Sequence, residues 1–216
     1  MVDLDGYDSI IIGLKLIPGI LTDNFTKDIK RILRKAGSYT VPPEEQISGL
    51  LKIGLPLQPL GLKNDKNVEI KLNLQTQSIN LIGNIPNNVK SVFEEFLDLL
   101  KEDDFEELED IIQFYEIVAN ARIKSNNPMD ELNNTTKINL EGLKKYDPSI
   151  SVIGIRAGSF RKNLDGKHIS LIIEPKKGSH SSKYSVKMSY QSNNKDDLLS
   201  FPLKEELIEI ISSLGE

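Results

Sequence analysis

The chain has 216 residues, 38% hydrophobic and 27% charged, enough to close one substantial core or two small ones and too balanced for a disordered, collagenous or membrane-spanning protein. Its formal net charge of -5 excludes a uniformly basic nucleic-acid coat. It has no cysteine, which removes disulfide scaffolds, thiolate zinc sites, iron–sulfur clusters and cysteine nucleophiles together.

The apolar run near the start is preceded by acids and interrupted by Lys15, Pro18 and Asp23, short of the roughly 20 residues a membrane span needs. It reads as neither signal peptide nor anchor, and the cytoplasm is the expected address. From Asp8 to Ile17 the β-branched run Ile10, Ile11, Ile12 and the alternation of Leu14 and Leu16 around Lys15 predict a strand, ended by Pro18 and Gly19. Thr22 or Asp23 then caps a helix in which Phe25, Ile29, Ile32 and Leu33 share one face. Gly37 stops it, and Lys27, Lys30, Arg31, Arg34 and Lys35 make it basic.

Four prolines and three glycines between Ser38 and Asn67 leave room for one short helix, Glu44 to Lys52, in irregular chain. The leucine-rich stretch 50–62 is too apolar for a free linker and is expected to pack on the fold or line a groove. Val68, Ile70, Leu72 and Leu74 alternate with polar residues, and with Ile79 and Leu81 they predict a hairpin with one wet face. Two helices follow by spacing: Val89, Val92, Phe93, Phe96, Leu97 and Leu100 in the first, and Phe105, Leu108, Ile111, Ile112, Tyr115, Val118 and Ala119 in the second.

A polar stretch from Lys124 to Thr136 marks a loop or boundary. Strands are expected at Lys137–Leu140, Ser149–Ala157, His168–Glu174 and Lys183–Gln191, closed by a helix from Pro202 to Leu214. This predicts an α+β fold, mostly an antiparallel sheet with helices packed on one face, in two halves: 1–125, and 137–216 beyond a boundary at 126–136, or one continuous domain. The match of Ile11-Ile12-Gly13-Leu14-Lys15 with Val152-Ile153-Gly154-Ile155-Arg156 raises a duplicated strand–hairpin–helix unit as one origin of that order.

No phosphate-binding loop and no nucleophile elbow occurs, and the two histidines, His168 and His180, flank one hairpin arm too far apart to share a metal. No catalytic residue, metal or cofactor is assigned. Charge is unevenly spread. Between Glu94 and Glu116 eleven acids stand against Lys101 alone, whereas between Ile150 and Lys195 nine bases stand against Asp165 and Glu174.

The expected function is therefore a non-catalytic binding or assembly module with a protein partner or homo-oligomer and no membrane. Its acidic helical face would be Asp103, Asp104, Glu106, Glu107 and Asp110, and its basic sheet face Arg156, Arg161, Lys162, Lys176 and Lys177. Nucleic-acid binding through the basic sheet is an alternative, although Tyr184 and Tyr190 fall in the apolar register rather than among stacking positions. Mutual neutralisation of the two charge sets, and an enzyme with an unrecognised pocket, are the other readings.

Overall fold

A computed structural model describes residues 3–43, 57–102, 108–124, 154–158, 167–175 and 183–213. Strands β1 (Asp3–Leu16), β2 (Leu57–Lys63), β3 (Val68–Asn73), β4 (Ser78–Gly83), β5 (Ile112–Lys124), β6 (Ile155–Gly158), β7 (His168–Pro175) and β8 (Lys183–Ser192) form one sheet. Its order is β2-β3-β4-β1-β5-β8-β7-β6, and every neighbouring pair is antiparallel. Helices α1 (Asp23–Ala36), α2 (Pro86–Glu102), α3 (Leu108–Ile111), α4 (Lys195–Ser200) and α5 (Leu203–Ser213) complete the described elements. No described helix is long and apolar enough to cross a membrane.

Helix α1 forms where its signals place it. The Thr22 hydroxyl accepts the Phe25 amide at 3.2 Å, and Gly37, at a left-handed φ of 71°, donates its N–H to the Arg34 carbonyl. Its buried residues Ile29, Ile32 and Leu33 join Val89, Val92, Phe93 and Phe96 of α2 over alternate residues of the sheet: Ile10, Ile12 and Leu14, then Ile70 and Leu72, then Ile79 and Leu81. One core thus lies between the helices and one sheet face, and hydrophobic burial there supplies the main stabilisation.

Three elements differ from expectation. Residues 57–63 form an edge strand rather than irregular chain, and Pro59, which has no N–H to give, sits at a register shift. A bridge from Thr40 to Leu62 covers part of that edge. The second expected helix, reaching to Ala119, is corrected: of its described residues α3 alone is helical, and β5 begins at Ile112 with Tyr115, Ile117, Ala119, Ala121 and Ile123 buried in strict alternation. Finally, α4 precedes the expected terminal helix, capped by the Asn194 side chain, which accepts the Asp196 amide at 2.8 Å.

The expected helix at 44–52 and strand at 137–140 lie outside the described residues, as do the polar stretch 126–136 and residues 149–153 of the expected strand 149–157. The matched segments of the proposed duplication occupy unlike places, since β1 is central and β6, which holds Ile155 and Arg156, is at an edge. The strand beside β1 at the centre of the sheet is β5, which itself lies within residues 1–125.

Candidate binding face

Side chains alternate across a strand, so burying Ile12 and Leu14 under the helices puts Ile11, Gly13 and Lys15 on the opposite face. Register carries this division across the sheet. Gly13 faces Asn80 of β4 on one side and Glu116 of β5 on the other; Glu116 faces Gln191 of β8, which faces His168 of β7. A polar row therefore crosses the sheet with, at its centre, a residue that has no side chain. The row on one side of it is Ile82, Ile11 and Val118; the row on the other is Ser78, Lys15 and Phe114.

Gly13 lies in the floor of a depression of about 390 Å³, lined by the two flanking rows, by Asn80 and Glu116 of its own row, and by Asn73 and Thr76, with no helical residue among the described ones. Its polar groups are fixed. Ser189 Oγ and Gln191 Nε2 donate to Glu116 Oε1 at 2.7 and 3.0 Å. Asn80 Nδ2 donates to Ser78 Oγ at 3.2 Å, and the side-chain Oδ1 of Asn73 accepts the backbone amides of Gln75 and Thr76, both at 3.1 Å. Among the described residues Lys15 Nζ, Asn80 Oδ1 and Glu116 Oε2 have no hydrogen-bond or ion-pair partner.

Further along this face the row Ser9, Asn120, Lys187, Ile172, Arg156 reaches the β6 edge. Arg156 and Lys187 are exposed there. The other described cations of the region are engaged. Asp5 takes both Lys183, at 2.7 Å, and Lys124, at 3.1 Å, and these two ammonium groups lower its pKa to about 2. Arg122 pairs with Asp8 at 3.0 Å and Lys167 with Asp197 at 3.0 Å. Lys167 and the Ser192 hydroxyl hold the Asp197 carboxyl below its usual range.

Of the basic candidates, Arg156 is on the open sheet face, whereas Arg161, Lys162, Lys176 and Lys177 lie outside the described residues. Of the acidic ones, Asp110 is exposed on α3; Asp103, Asp104, Glu106 and Glu107 lie outside the described residues. His168 begins β7 with a buried Nδ1 that makes no hydrogen bond, and His180 is outside the described residues. Tyr184 is fully buried, and Tyr190 stacks on Phe201 with ring centroids 4.2 Å apart, so neither is a base-stacking platform. Charge reasoning missed Gly13, Lys15, Asn80 and Glu116. A glycine inside a β-branched run, marking a close approach or an uncovered backbone, was the available signal.

A second cavity of about 530 Å³ lies where the start of α2 meets the α4–α5 turn. Lys90 crosses it to donate to the carbonyls of Leu199 and Phe201, and burial lowers its pKa. The Tyr7 hydroxyl at its wall is buried without a hydrogen bond; burial, followed by the Glu205 charge, pushes it up to about 12. Among the described residues no group of three or more His, Asp or Glu side chains could hold a metal ion.

No protein-family model matches the chain, and no curated protein matches its sequence significantly. Fold and face define an α+β protein built on one antiparallel eight-stranded sheet.

Proposed function

We propose that the protein is a non-catalytic cytoplasmic binding module that holds a protein partner on the sheet face opposite its described helices. The observation that carries this reading is the depression at Gly13, where an apolar row and a row of fixed polar groups lie side by side and Lys15, Asn80 and Glu116 keep unspent hydrogen-bonding atoms. Groups already held in place cost little further ordering when a partner binds. Such a surface suits a protein better than a phosphate backbone, because most described cations nearby are spent on Asp5, Asp8 and Asp197.

Contact through opposed charged faces receives less support. The basic helix α1 packs against the acidic helix α2, and Glu95 of α2 is taken by Lys63 at 2.6 Å, which favours neutralisation within the molecule. A duplicated origin accords with the strand order only with the second copy beginning at β5, inside residues 1–125, and not with residues 152–156 matched to β1.

The test is photo-cross-linking of the whole protein in its native cells. A cross-linking residue at position 82 or 118 is expected to give one dominant protein adduct, identified by mass spectrometry, and to lose it in Ile11→Glu with the thermal midpoint retained. The same residue at exposed positions 27 or 204 is expected to give none. Adducts only from 27 or 204 would overturn the proposal. An adduct with the mass of two chains identifies the partner as a second copy.

A further inference from the structure

We infer that the depression at Gly13 receives the C-terminus of a partner polypeptide, a free carboxylate borne by an apolar last residue. The inference rests on the binding-face reading and names the class of partner. Three successive rows of the face carry it. At the first, Lys15 is flanked in register by Ser78 and Phe114, with Thr76 and Asn73 beside them; Asn73 has spent its oxygen on two backbone amides, leaving its NH₂. A carboxylate placed here meets one ammonium and neutral donors, and none of the residues paired with Lys15 is acidic.

At the second row Asn80 Oδ1 and Glu116 Oε2 lie on either side of Gly13, with no donor committed to either among the described residues. Two acceptors on the strands flanking Gly13, Asn80 Oδ1 only 2.8 Å from where a Gly13 Cβ would stand, suit the N–H groups of an incoming chain. They would oppose a second carboxylate, so an acidic last residue fits poorly. At the third row Ile11, Ile82 and Val118 supply an apolar floor for the last side chain. Rows on one face repeat about every 6.7 Å, and the flexible Lys15 stem shortens the span between the outer two to the reach of a terminal residue.

Fluorescence polarisation tests this with a labelled hexapeptide ending in leucine, the same peptide capped as the amide, and a third ending in glutamate. The free leucine carboxylate is expected to bind at least tenfold more tightly than either of the others. Lys15→Met should remove that advantage, bringing the leucine carboxylate to the affinity of the amide; Gly13→Val, which fills the depression, should abolish binding of all three. Lys15→Met changes a half-buried surface side chain, so it keeps the test sound if Gly13→Val does not fold.

Equal affinity for carboxylate and amide, an advantage that survives Lys15→Met, or no binding of any peptide at millimolar concentration overturns the inference. Cross-linking at 82 and 118 that persists in any of these cases leaves the binding face standing and removes only the C-terminal partner. Loss of both removes both.

Discussion

Gly83 faces Ile10 across the β1–β4 ladder, and a Cβ placed on Gly83 would stand 2.8 Å from Val89 Cγ2 and 3.3 Å from Val68 Cγ2. Both neighbours are fully buried and β-branched, so neither can swing away. At Gly13 the nearest atom to an added Cβ, also at 2.8 Å, is instead Oδ1 of Asn80, the end of a side chain held by a single 3.2 Å hydrogen bond to Ser78 rather than by packing.

Gly83→Ala is therefore expected to destabilise the fold by about 1–3 kcal/mol, the usual cost of overpacking. Gly13→Ala should cost less than about 1 kcal/mol, since the unfolded chain also loses freedom. Urea denaturation of the two variants side by side checks the difference; equal costs would mean that the β1–β4 ladder, not the α2 contact, governs both.

Lys63 is 7% exposed, its ammonium lies 2.6 Å from Glu95 and 4.7 Å from the centre of the Tyr39 ring. Removing the acid strands a buried cation, whereas removing both leaves an apolar contact. Glu95→Ala should cost about 2 kcal/mol, and Glu95→Ala with Lys63→Met should cost less than Glu95→Ala alone. A double-mutant cycle by chemical denaturation reads the coupling.

Asp5 titrates at about 2 in the fold instead of its ordinary 3.8 because Lys183 and Lys124 hold it ionised. A depressed carboxyl contributes stability that is complete above the unfolded value and is lost as pH falls through the folded one. In Asp5→Asn the acid limb between pH 3.8 and about 2 should therefore flatten. The thermal midpoint measured across that range, for wild type and variant, decides it.

Tyr7 has the opposite sense. Its phenol is held neutral up to about 12, so its contribution is intact below the ordinary value of 10.0 and disappears as pH rises through about 12. Because its buried hydroxyl makes no hydrogen bond, Tyr7→Phe should be neutral or stabilising by up to about 1 kcal/mol at pH 7. Absorbance titration at alkaline pH should lose one late-ionising tyrosine in this variant.

Local signals were legible where one element carried them alone. Thr22 and Gly37 bracket α1 in the sequence as they do in the fold, and the alternation through Val68, Ile70 and Leu72 marks β3. Strand β5 was obscured by its own two faces. Ala119 and Ala121 make a faint stripe on the buried side, while Phe114 and Val118 on the open side lend it a false helical spacing.

The binding face could not be read from local spacing because Gly13, Asn80 and Glu116 meet only through the register of distant strands. Charge was the louder signal, and sequence alone does not show which charges are paired. Lys183 looks like part of a basic patch until the far end of the chain returns Asp5 to it.

Strand β1 is made before both of its sheet neighbours, β4 and β5, which follow it much later in the chain. At roughly 5–20 residues per second, the ribosome delivers β5 on the order of ten seconds after β1. Through that interval the Ile10–Ile12 segment has an open hydrogen-bonding edge, the property that invites pairing with other chains. Slow codons or a busy cell should thus harm the yield of this protein more through β1 than through α5.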